Sequence, residues 1–304
     1  MRGLIQESVI PEESLLLDGS EARGRQGPAR ALAWLRANLL TGFGLALLLV
    51  FFGAGLIGPW LETHQPDTLY PLSVLQAPGG GFPLGTDDLG RDLLSRILSG
   101  IRVSLSIGVG AIAVSLAVGA GIGSLAGYFG GWFDALAMRV MDVLVAFPAI
   151  LLAIALMTML GGSLVNVGLA IAIIYVPIFA RIMRASVLTV RREQYVEAAE
   201  SLGAGHARIL IRHVVPNSAS PILVQISLAI SDAILIEAAL SYLGLGVNPP
   251  TPSLGGLLIE GQGFMTTQPW MVIYPGLALT LGVFGFNLVG DSLRDLLDPC
   301  RRRR

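Results

Sequence analysis

Residues 37–60 run for 24 positions without a charged side chain. A helix rises about 1.5 Å per residue, so about 20 apolar residues suffice to cross a hydrocarbon core of about 30 Å. Comparable apolar runs recur at 102–127, 134–160, 164–184, 216–243 and 271–291. Composition decides what such runs are for: the 304 residues are 53% hydrophobic and only 13% charged, against about 25% charged in a soluble domain. A soluble fold of this size could not enclose so much apolar surface. The chain is therefore expected to be an all-α integral membrane protein with six transmembrane helices.

Several chemistries are excluded or left without support. Cys300 is the single cysteine, so neither an intrachain disulfide nor a cysteine metal cluster can form. All 20 basic residues are arginine. Without a lysine there is no Walker A loop, and the chain does not hydrolyse ATP by that chemistry. The histidines, His64, His206 and His213, form no catalytic constellation, and no metal site is expected. A secondary transporter would be expected to carry an inverted repeat with buried ion ligands; no such internal symmetry is visible. Nucleic-acid binding has no support, because the net charge is −1 and the charges are segregated.

Residues 1–36 are polar and mixed in charge, with Glu12, Glu13, Asp18 and Glu21 beside Arg23, Arg25, Arg30 and Arg36. They read as a tail; the charged stretch and the apolar run after it are both too long for a cleaved signal peptide. Residues 61–101 form a turn-rich loop. Within it, Thr86, Asp87, Asp88, Arg91 and Asp92 read as a capped, solvated helix start rather than a substrate contact. Ala111, Ser115, Gly119, Gly123 and Gly127 place a small residue at every fourth position of the second span. That seam admits another backbone, and packing within the subunit is favoured over a dimer contact. Pro148 should kink the third span or break its ladder, and in that span Arg139 and Asp142 share a helix face and can pair. Residues 253–268 are too interrupted to span alone and read as a re-entrant or surface scoop.

Arginine counting orients the chain. Five arginines precede the first span, six lie from Arg181 to Arg212 and five in 294–304, whereas 244–270 has none. Six spans with both termini in the cytoplasm satisfy this distribution. The loops at 61–101 and 244–270 are then external, and 292–304 is a cytoplasmic tail whose terminal Arg301–Arg304 run can touch anionic headgroups.

The charged stretch 191–216 then lies in the cytoplasm, between the fourth and fifth spans. Glu193, Glu197 and Glu200 give it an acidic side; Tyr195, Val196, Ala199 and Leu202 give it a short apolar face. Gly203 and Gly205 should bend it. A second short helix follows over 206–213, and Pro216 begins the next span. Two amphipathic pieces joined at a glycine make an L-shaped lever, suited either to the membrane surface or to a partner's groove.

Glu197-Ala198-Ala199, Gly203 and, after a fixed gap, Val215-Pro216 resemble the Glu-Ala-Ala loop of ATP-binding-cassette importer permeases. His213 and Val215 depart from the isoleucine and leucine favoured there. Residues 84–96, 243–252, 286–295 and 297–299 are similar to the corresponding segments of dipeptide, oligopeptide and nickel permeases, in the C-type member of the permease pair. The likeness covers about residues 37–300. It implies a type I importer transmembrane domain over 102–291, located in the bacterial cytoplasmic membrane. It implies a second, homologous permease, two cytoplasmic ATPases and an external solute-binding protein as partners. ATP and magnesium would sit on the ATPases, with no cofactor bound by this chain and no enzymatic activity of its own. Tyr195, Glu197, Ala198, Ala199, Gly203, Arg208 and Pro216 would form the surface that meets the ATPase. Peptides are the expected cargo, with a nickel chelate or another peptide-like solute as the alternative. Asp232 and Glu237, acids inside the fifth span, are candidates for the translocation path, since an ion at mid-bilayer costs about 2.5–3.5 kcal/mol on insertion scales. Glu237 also lies near enough to the outer interface to be merely solvated.

Overall fold

The computed structural model describes residues 39–297; the tail readings for 1–36 and for Cys300 to Arg304 lie outside them. The described chain is helical, with isolated bridges Gly79–Phe82 and Thr86–Asp92 in place of strands. The helices are α1 (Leu39–Leu61), α2 (Leu93–Phe129), α3 (Gly131–Ala146), α4 (Ala149–Leu160), α5 (Leu164–Val190), α6 (Gln194–Ser201), α7 (His206–Ile209), α8 (Val215–Asn217), α9 (Ser220–Tyr242), α10 (Leu254–Gln262) and α11 (Trp270–Leu297). Leu210–Val214 forms a π-helical turn between α7 and α8. One compact unit begins at Phe43.

Five helices, α1, α2, α5, α9 and α11, are each long and apolar enough to cross a membrane. In the third span the ladder breaks at the proline, the second of the two expected outcomes. It breaks at Phe147–Pro148 into α3 and α4, whose axes differ by 92°. Phe147 is extended, with ψ 134°, as the residue before a proline prefers. At about 24 Å and 18 Å, neither piece crosses a bilayer alone; set at that angle, the two together still cover about 30 Å end to end.

The packing of α2 on α5 requires that they do. Ser115 Oγ donates to the Ala172 carbonyl at 3.0 Å. A Cβ on Gly119 would lie 2.5 Å from the Val176 carbonyl oxygen, one on Gly123 2.2 Å from that of Ala180, and one on Gly127 2.9 Å from that of Arg184. Each step of four on α2 meets a step of four on α5, so the two helices run parallel. A chain leaving the end of α2 can begin a parallel α5 only by crossing back through α3 and α4. The small-residue seam is thus an intrachain contact, as expected. Small residues are what permit it, because any Cβ at Gly119 or Gly123 would overlap backbone.

The second span also starts earlier than expected, at Leu93 rather than 102, because Asp92 caps it: its side chain accepts from Ser95 N at 3.2 Å. The scoop is a real helix, α10. Gly255 lets it lie directly on α9, since a Cβ there would be 2.1 Å from the Ala238 carbonyl oxygen. Two apolar clusters hold the bundle. One joins α2, α4, α5 and α9 to Val196, Ile209, Leu210 and Val214 of the lever. The other joins Leu48 and Phe51 of α1 to Ile97, Ile101, Ile234, Leu254, Leu257 and Phe286.

Candidate functional site: the lever and the polar groups of the bundle

The lever is two short helices set at an angle by one glycine. At the end of α6, Ala204 N donates to the Ala199 carbonyl at 3.1 Å and Gly203 N to the Glu200 carbonyl at 2.9 Å. This bond pair closes a helix when the intervening residue is left-handed, and Gly203 has φ +79°. Open space surrounds the position of a Gly203 Cβ, so backbone conformation, not crowding, requires the glycine. After the bend, α7 widens into the π turn ahead of Pro216. A proline ring collides with the carbonyl four residues before it, here that of Arg212, and the wider turn accommodates it.

What the lever buries and what it shows separate cleanly. Val196 is 1% exposed and Ile209 and Val214 are both fully buried, which fixes the lever to the bundle core. The apolar face is narrower than the sequence suggests: Tyr195 is 43% exposed and Leu202 88%, leaving Val196 and a partly covered Ala199 as its buried part. Glu197, Ala198, Gly203, Arg208 and Pro216 are exposed, and Ile211 adds a third projecting apolar side chain. The outward surface therefore mixes three large apolar residues with acids on α6 and arginines after the bend.

The lever is also tied to α2 and α5 by contacts invisible in sequence. The Tyr128 hydroxyl lies 3.0 Å from His206 Nδ1. Arg191 donates to the Tyr128 carbonyl at 2.5 Å, and its guanidinium stands 5.2 Å above the Tyr128 ring. Arg184 of α5 grips Asp134 of α3 in a two-pronged pair at 2.5 and 2.6 Å. Asp142 pairs with Arg181 of α5 at 2.7 Å, not with Arg139. Helix-face spacing permits the local pair, but the tertiary neighbour supplies the better-placed guanidinium.

At the opposite end of α2, the reading of a solvated helix start is overturned. Asp87 is 1% exposed and accepts from Leu89 N, Arg91 N and Arg91 Nε at 2.9, 2.8 and 2.6 Å, and also from Arg96. Arg96, 2% exposed, reaches across to Glu260 of α10 with two bonds of 2.8 and 3.2 Å. Arg91 adds a third at 3.2 Å. Asp87, Arg91, Arg96 and Glu260 thus form one ionic cluster clamping α10 to the start of α2. A sequence signal existed: Glu260 is the single charge in 244–270, and a lone charge in such a stretch needs a partner.

The two intramembrane acids of α9 differ in kind. Glu237 is fully buried and accepts from Ser104 Oγ at 2.6 Å and Ser241 Oγ at 2.8 Å. Ser253, the N-cap of α10, stands beside it. Glu237 is therefore neither solvated nor facing open space; two hydroxyls bond it, one from α2 and one from α9, and α10 starts against it. Asp232 is exposed and is met by the Tyr175 side chain of α5.

The arrangement matches known proteins. Residues 119–303 match the model of a family described as the binding-protein-dependent transport system inner membrane component. The chain is 42% identical over 269 residues to a dipeptide transport system permease protein of Alkalihalophilus pseudofirmus, covering 88% of each. It is 42% identical over 267 residues to a glutathione transport system permease protein of Pectobacterium atrosepticum, again 88% of each. It is also 42% identical over 262 residues to a di/tripeptide transport system permease protein of Pseudomonas aeruginosa, covering 84% of this chain and 86% of that one. The solved structure of the MetNI methionine ABC transporter in inward-facing conformations shares the fold, with a TM-score of 0.55 at 14% identity over 67% of this chain and 96% of its own. By sequence, the chain belongs to the inner-membrane permease components of binding-protein-dependent ABC transport systems.

Proposed function

We propose that the chain is the C-type permease of an importer for di- and oligopeptides, driven by ATP hydrolysis on partner subunits. The observation that carries this reading is the lever, rooted in the bundle core through Val196, Ile209 and Val214 and presenting Tyr195, Leu202 and Ile211 outward. A projection that is stiff at its root and partly apolar at its surface suits transmission of force from a docked protein. The cargo named for the relatives from A. pseudofirmus, P. atrosepticum and P. aeruginosa is in each case a peptide, which supports peptides over a nickel chelate.

In this reading two cytoplasmic ATPases, holding ATP and magnesium, dock on 191–216, a homologous permease completes the path, and an external binding protein delivers cargo to the loop end. Both termini and the lever are cytoplasmic, in keeping with the arginine distribution. ATPase closure pulls the lever; Tyr195, Glu197, Ala198, Arg208 and Pro216 form the contact surface, Ala199 seats it, and Gly203 sets the bend. Because the lever shares one apolar core with α2, α5 and α9, it moves these helices as a body and shifts a two-state equilibrium between outward and inward openings. Asp232 lines the path, while Glu237 braces its wall.

The test uses Glu197→Ala and Gly203→Val in the complete importer. Both should assemble. Uptake, and ATPase activity stimulated by loaded binding protein, should fall about tenfold, the scale of a coupling free energy of 1–3 kcal/mol. Normal coupling in both variants would sink the assignment.

A further inference from the structure

We infer that Asp232 is a way-station for the amino-terminal ammonium of the peptide as it crosses, with the Tyr175 side chain holding the carboxylate in place. The inference rests on the proposed peptide path and adds a ligand chemistry to it.

Three observations converge on this residue. The first is depth. Asp232 is the thirteenth of 23 residues in α9, and Tyr175 the twelfth of 27 in α5, so both sit near mid-membrane. The second is pairing. Among the described residues, three other acids of the bundle have settled partners: Asp134 has Arg184 and Asp142 has Arg181, and Glu237 is enclosed by serines. Asp232 meets a phenol instead of a guanidinium. A hydroxyl donates one hydrogen bond, and a carboxylate can accept about four, so most of its capacity is left for a ligand. The third is exposure. Asp232 is open, whereas Tyr175 is 4% exposed and fixed in the α5 core. A carboxylate facing lipid at this depth is strongly disfavoured, and intramembrane ions face a bundle interior or water-filled cavity.

The ligand class follows from what peptides have in common. Their side chains vary, but each carries an ammonium at its amino terminus. A single carboxylate beside a fixed hydroxyl reads that constant group and leaves the side chains unread. One ionic contact at a hydrated site is also weak enough to release its cargo.

The experiment uses the complete importer in vesicles, with Cys300 replaced by serine so that an introduced thiol is the only one in this chain. Asp232→Cys should slow dipeptide uptake about fivefold, the equivalent of about 1 kcal/mol. It is then treated with two methanethiosulfonate reagents, one adding a sulfonate and one a trimethylammonium. The expected result is labelling by both, with the sulfonate returning uptake toward the parent rate and the trimethylammonium depressing it further. Labelling by both with equal effects on uptake would overturn the ammonium contact and leave the path reading standing. Failure of either reagent to label the assembled complex would overturn both readings. If Asp232→Cys and Asp232→Asn fail to assemble with the second permease, Asp232 belongs to subunit pairing and the inference is wrong.

Discussion

Replacing Arg96 by methionine tests whether the ionic cluster at the loop end is the buried clamp its geometry describes. Arg96 is 2% exposed and Asp87 1%, so neither is well solvated. Removing one partner of such a pair typically costs about 3–5 kcal/mol, because the other charge stays buried without it. Asp87 retains Arg91 and two backbone N–H donors, which places the expected loss near the lower end, about 3 kcal/mol. Glu260→Gln is the internal comparison. Its side chain is 29% exposed and an amide oxygen can still accept from Arg96, so the expected loss is about 1 kcal/mol or less. The assay is denaturation of the purified permease pair in mixed micelles, followed by the intrinsic fluorescence of its tryptophans. Asp87→Asn combined with Arg96→Met should cost less than the two single losses together by about 1 kcal/mol or more, since both remove the same interaction. A buried clamp is ruled out if Arg96→Met is no more damaging than Glu260→Gln, or if the double variant is additive.

Two further predictions probe the packing. Gly123→Leu should prevent folding of the α2–α5 pair, because its Cβ would meet the Ala180 carbonyl oxygen at 2.2 Å, whereas Gly121→Leu, two residues away with nothing within 4 Å, should be tolerated; recovery of monodisperse protein in detergent distinguishes them, and equal yields would contradict the seam. Ser253→Ala removes both the cap bond to Gly256 N at 3.1 Å and a hydroxyl beside Glu237. It should cost about 1 kcal/mol and speed amide exchange across Leu254–Gln262; unchanged exchange there would show that the cap does not hold α10.

Much of the architecture is local physics and was readable from residue order. The length of an apolar run sets whether it can cross a bilayer, and that depends on each residue's own transfer free energy. The spans at 37–60, 164–184 and 271–291 therefore reappear as α1, α5 and α11 with only their ends moved. The glycine bend at Gly203 is similarly local, because a left-handed φ is a property of one residue. The small-residue seam was legible as a seam; which helix it faces was not. Pro148 announced a disturbance, but a 92° break rather than a kink depends on how α3 and α4 pack against α5.

Sequence alone determined which runs are long and apolar enough to cross a membrane, where the lever bends and what family the chain resembles. Tertiary structure alone decided which charges are buried and with whom. Arg91 and Glu260 are 169 positions apart yet joined; Ser104 and Glu237 are 133 apart. The same letters, Asp and Glu, became a clamp at Asp87, a brace at Glu237 and an open carboxylate at Asp232. The reason is physical: a helix forms from contacts three and four residues away, but a buried charge survives only where the fold brings a donor to it.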